Sequence, residues 1–182
     1  MTEAMTTYDV VLLIEQPLST QDARQVRGLH EDFEAHVRYH VLLPVEDAAA
    51  RVESAMGSLA ASEVLASPAL VMSDMDLDDV QRELLDRARE DLNACLERLT
   101  EVGADAVGEI VSVDPIDALA AKVKEIDGRE AIILTRPHVV SEFFHLDWTS
   151  RARRKIGVPV LHLLERETFD EQAGGGEGVS GV

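Results

Sequence analysis

The sequence predicts an α/β protein, an open five-stranded parallel sheet with helices on both faces. Three observations point there. Short, continuous apolar runs such as "YDVVLLI" and "EAIILT" are strands of the kind that fill a sheet covered on both sides. They alternate with segments of helical periodicity, as right-handed β-α-β crossovers require. The clearest helix, from Asp79 onward, sets Val80, Leu84, Ala88, Leu92, Cys95, Leu99 and Val102 on one face and stops at Gly103.

Taken in order, the first strand is Tyr8 to Ile14. Ser19 and Thr20 can cap a helix in which Val26, Leu29, Phe33 and Val37 recur at three-to-four-residue spacing. Val37 to Val45, "VRYHVLLPV", form a second strand ending at Pro44, whose missing N–H suits a strand end. Glu46 to Asp79 departs from alternation. Its alanine-rich first part reads as a helix and "SPALVMSDMDLDD" as a loop, together a helical insertion at about 46–79. After the long helix comes a strand at Ala106 to Val113. Then Asp114 is placed as N-cap, Pro115 as the first helical residue and Gly128 just past the end, with Ile116, Leu119, Ala120, Val123 and Ile126 inward. "EAIILT" is the fourth strand. A helix from about Asp147 to Ile156 leads to the fifth, "VPVLHLL". The domain is expected to cover 1–167, with a disordered Gly-rich tail at 168–182.

Composition narrows the function. With 182 residues, 46% apolar and 29% charged, the chain can bury one sizeable core. The net charge is −18, and only −4 of it (five acids, one Arg) lies in Glu165 to Val182, so the body is acidic. Such a field repels phosphate backbones and anionic lipids, which argues against nucleic acid and membrane partners. No apolar run approaches the roughly 18 to 20 residues that span a bilayer, and "MTEAMTTYD" has neither a basic n-region nor an h-region ahead of the first strand. A single cysteine fits a reducing compartment, so a cytoplasmic location is expected.

The layout, above all "REAIILT", a loop, the basic helix "TSRARRKIG" and the closing "VPVLHLL", resembles the universal stress protein family over about residues 6 to 165. The resemblance implies an adenine nucleotide alpha hydrolase-like fold with strand order 3-2-1-4-5. It also implies a homodimer paired through the last strand, with Val158, Val160, His162 and Leu164 on the pairing edge, and a regulatory or stress-associated role without catalysis. ATP-binding members carry Gly, two residues, Gly, nine residues, then Gly and Ser or Thr after strand four. This chain has no glycine between Thr135 and Ile156. The loop reads Arg136, Pro137, His138, Val139, Val140, and Leu146 and Asp147 fall where the last Gly and the hydroxyl would stand. Pro137 has no N–H to donate, β-carbons crowd a backbone that must approach phosphate, and Asp147 puts a negative charge at an anion-favouring helix start. ATP held in the usual manner is therefore not expected, and no cofactor is assigned. Glu15 stands near the place of the family's nucleotide-meeting Asp; the plainer reading is an acid at a strand end with no partner.

In a parallel sheet ligands bind beyond the carboxyl ends of the strands. Glu15, Arg136, His138 and Asp147 are the candidate contacts there, for an adenine nucleotide in an altered pose or another anionic small ligand. His138, Glu142 and His145 invite a metal-dependent hydrolase reading, but their spacing matches no strong metal signature, so no metal is assigned. Cys95, on an apolar helix face, reads as a small hydrophobe, and His40 and His162, within strands, as structural. Ile156 turns inward with Trp148 and Ala152, leaving Arg151, Arg154 and Lys155 outward.

Overall fold

A computed structural model describes residues 7–45, 74–135 and 154–164. The strands are β1 (Thr7–Ile14), β2 (His36–Pro44), β3 (Asp105–Val111), β4 (Glu130–Thr135) and β5 (Val160–Leu164). The helices are α1 (Thr20–Gly28), α2 (Asp74–Glu101) and α3 (Pro115–Glu125). The five strands form one sheet in the order 3-2-1-4-5, and all four pairings are parallel. The winding direction reverses between β1 and β4, so the crevice outside their carboxyl ends is the ligand position this topology favours.

Alternation along each strand divides the core in two. Val10, Leu12, Ile14, Tyr39, Val41, Ile132, Leu134 and Leu163 face α1 and α2, meeting Val26, Leu92, Cys95 and Leu99. Val11, Leu13, Leu42, Ala131 and Ile133 face α3, meeting Leu119 and Val123. Ile156, in a helical turn at 154–156, joins that second cluster and is buried as expected. Strands buried on both faces need no polar side chains, which is why their sequences run apolar without a break.

Both long helices end by the same geometry. Gly103 (φ +79) is left-handed, and the amides of Gly103 and Ala104 donate to the carbonyls of Thr100 and Leu99 at 2.9 Å each. At the end of α3 the left-handed residue is Asp127 (φ 52), not Gly128. The Gly128 amide donates to the Val123 carbonyl at 2.8 Å, so the stop comes one residue earlier than the glycine suggests; Asp tolerates this region better than most residues.

Other boundaries also move. α1 stops at Gly28, a weak helix former, and the apolar spacing that continues through Phe33 belongs to a turn. There Phe33 stacks edge-on against Tyr8 and His30 instead of joining a helix, and Val37 lies in β2. α2 begins at Asp74, so the acidic run read as loop is helical; acids suit the positive pole of a helix start. β3 ends at Val111, leaving Val113 62% exposed. β5 begins at Val160, after left-handed Gly157 and Pro159, which has no N–H for a ladder. Residues 46–73, Asp147, Trp148, Ala152 and the tail lie outside the described residues.

Candidate functional site

Beyond β1 the chain runs through Glu15, Gln16 and Pro17, all half-buried, to Leu18, which is 1% exposed. Ser19 then starts α1 with a capping box. The Ser19 amide donates to Asp22 Oδ2 at 2.9 Å, and the Asp22 amide donates to Ser19 Oγ at 3.2 Å. Leu18 is held by α2 through both of its backbone groups: its N–H donates to Cys95 Sγ at 3.2 Å, and its carbonyl accepts from Arg98 Nη1 at 2.5 Å. The expected partnerless Glu15 is corrected here, because it does have an interaction partner.

β4 exits at Thr135, whose Oγ1 lies 2.8 Å from His162 Nε2 on β5. Burial pushes His162 below the ordinary imidazole value, which keeps it neutral at pH 7. On the α3 side of the same rim, Asp114 caps the helix, its Oδ1 accepting from the amides of Ile116 and Asp117 at 3.0 Å each. Asp117 receives Lys155, tying the 154–156 turn to α3. Among the described residues this rim carries the carboxylates of Glu15, Asp114 and Asp117, while Arg98 and Lys155 are already engaged.

Of the sequence-predicted site residues, Glu15 is therefore placed at the exit of β1; Arg136, His138 and Asp147 lie outside the described residues, as do Glu142 and His145. Val158, Val160, His162 and Leu164 are all half-buried, and among the described residues β5 pairs with β4 alone, at the sheet edge. No group of three or more metal-ligating side chains occurs among the described residues.

The densest polar network stands at the opposite pole, at the amino ends of the strands. His30, 3% exposed, places Nε2 2.8 Å from Glu130 Oε1 and Nδ1 2.8 Å from the Tyr39 hydroxyl. Tyr8 donates to Glu130 Oε2 at 3.1 Å, and Tyr39 donates to the Val26 carbonyl at 3.2 Å. Burial pushes the Tyr39 hydroxyl up to about 12, and burial followed by the Glu130 charge raises Tyr8. The single Tyr39 proton goes to the Val26 carbonyl, which leaves the phenolic oxygen to accept from His30 Nδ1.

On the other face of the same pole, His40 Nε2 meets Asp9 at 2.8 Å, and His36 Nε2 and Arg38 Nε both meet Asp105 Oδ2 at 2.8 Å. The hydrogen bonds from His36 and then Arg38 hold Asp105 below its ordinary carboxylate value. Sequence reading missed these groups because His30 and Glu130 are 100 residues apart. The available signal was polar residues at the amino ends of otherwise apolar strands.

No protein-family model and no curated protein matches the sequence. Solved structures do. The hypothetical protein MJ0577 superposes with a TM-score of 0.57 at 13% identity, covering 90% of this chain and all of its own. The universal stress protein UspA from Lactobacillus plantarum gives 0.54 at 14%, covering 87% of this chain and 99% of its own. A universal stress protein family protein from Arabidopsis thaliana with AMP bound gives 0.51 at 13%, with 87% and 92% covered. No helix among the described residues is long and apolar enough to cross a membrane. The sheet order, the parallel pairings and these superpositions together show that the chain has the universal stress protein fold.

Proposed function

We propose that this chain is a cytoplasmic, regulatory or stress-associated module of universal stress type. It is not an enzyme, and it does not hold ATP through a glycine-rich loop. The observation that carries the reading is the chain leaving β4: after Thr135 come Arg136, Pro137 and His138, with no glycine before Ile156. A phosphate cradle needs backbone N–H groups at close approach, which Pro137 and the β-carbons around it withhold. The acids Glu15, Asp114 and Asp117 support the same conclusion. Protein purified without added nucleotide is expected to release none on denaturation, as read by mass spectrometry. Stoichiometric ATP or AMP in the supernatant refutes this reading.

The edge position of β5 supports a homodimer paired through Val160, His162 and Leu164, since an open apolar edge strand invites pairing; Val158, expected on that edge, precedes the strand. Sedimentation is expected to show a dimer, which a lysine at Val160 dissociates.

A second reading is favoured by the AMP found in the Arabidopsis neighbour. Here the cleft binds an adenine monophosphate or another anionic small ligand through Glu15, Arg136, His138 and Asp147. A single phosphate needs fewer N–H donors than a triphosphate. Thermal shift against a nucleotide panel separates the two readings, because a ligand at 100 times its dissociation constant adds about 2.7 kcal/mol.

A further inference from the structure

The loop after β1 is fixed by a helix that is remote in sequence. Leu18 is 1% exposed and Cys95 fully buried, so the Leu18 N–H has no water to turn to, and Cys95 Sγ at 3.2 Å is its acceptor. Three residues further along α2, Arg98 Nη1 takes the carbonyl of the same residue at 2.5 Å. Residues three apart on a helix share a face, so one surface of α2 satisfies both the donor and the acceptor of a single loop peptide. α2 is itself seated closely on β3: a β-carbon at Gly108 would lie 2.7 Å from Leu92 Cδ1. The helix therefore joins the outer strand β3 to the loop that carries Glu15.

We propose that Cys95 and Arg98 are positioning residues that clamp Leu18, and that α2 thereby sets the conformation of the Glu15–Ser19 loop on the cleft. The functional meaning rests on the cleft being the ligand site; the clamp itself does not. The capping box of α1 begins at Ser19, whereas both backbone groups of Leu18 are bonded by α2. A ligand that shifts the loop must then shift α2, and by reciprocity a partner that shifts α2 alters ligand affinity.

The test is amide hydrogen exchange, read by mass spectrometry, on the full chain and on Cys95→Ala, Cys95→Ser, Arg98→Met and the exposed control Glu97→Gln. Losing one buried hydrogen bond should speed exchange in the 15–21 peptide by about ten-fold. Cys95→Ala and Arg98→Met are expected to show that acceleration with β3 peptides unchanged, Cys95→Ser to restore protection through its oxygen acceptor, and Glu97→Gln to change nothing. Acceleration spread evenly over all peptides, or none in the loop, overturns the clamp. Arg98→Met removes a half-buried group and keeps the experiment decisive should the Cys95 variants fold poorly. A second arm adds millimolar AMP. Exchange in the loop and in α2 slowing together supports the coupling, and slowing in the loop alone overturns it. An absence of any AMP effect counts against the AMP reading of the cleft and leaves the clamp to be decided by the variants.

Discussion

Gly108→Ala is expected to destabilise the protein, against the usual benefit of replacing a strand glycine. Two effects oppose. Alanine restricts the unfolded chain and on that ground gains about 0.5 to 1 kcal/mol. The new β-carbon, however, would stand 2.7 Å from Leu92 Cδ1, 3.3 Å from Leu92 Cγ and 3.3 Å from the Val41 carbonyl oxygen. Carbon atoms rest at about 3.5 to 4.0 Å, so the first contact is too close by roughly 1 Å. Leu92 is 7% exposed and packed in the larger core cluster, which leaves it little space to swing away. Overpacking of this kind costs about 1 to 3 kcal/mol, which at its midpoint exceeds the entropic gain and leaves a net loss of about 1 kcal/mol, at most about 2.5 kcal/mol. Urea denaturation should show a lower midpoint at unchanged slope. In the double variant with Leu92→Ala the two losses should fall short of additivity by at least about 0.5 kcal/mol. Equal or greater stability in Gly108→Ala, or full additivity, would refute the close approach of α2 to β3.

Two further outcomes follow from the titrating groups. His162 is held below its ordinary value of 6.5 by burial, so its contribution is fully present above pH 6.5 and is lost as pH falls through the lowered folded value; His162→Phe should flatten the stability curve in that window, and an unchanged slope there counts against a buried neutral imidazole. Replacing His30 and Glu130 by Leu, singly and together, should give a coupling of about 1 to 3 kcal/mol in a double-mutant cycle, since His30 is almost wholly buried and either single change leaves a polar partner behind; a coupling below about 0.5 kcal/mol means the pair does not act together.

The sheet was legible because double-sided burial imposes a signal each strand carries locally. The α2 face from Leu84 to Leu99 was equally plain, being one helical period repeated. What failed was whatever depends on a partner remote in sequence. Phe33 kept helical spacing with Val26 and Leu29, yet its place is set by Tyr8 and His30. Cys95 reads as a small hydrophobe, and it is buried as one. Nothing in the sequence shows that its sulfur meets the Leu18 amide, 77 residues away. For the candidate site, Glu15 could be placed at the exit of β1 by counting, whereas Asp114 was identifiable only as a helix cap.

The positions of the histidine and carboxylate networks have an evolutionary consequence. His30 with Glu130, His40 with Asp9, and His36 and Arg38 with Asp105 stitch β1, β2, β3, β4 and the α1–β2 turn together at the amino pole. The crevice that a parallel sheet of this order favours for ligands lies at the carboxyl pole. Mutations that rewrite the sequence after β4 therefore leave the partners of these cross-links in place, and the strand order can persist whatever that sequence carries.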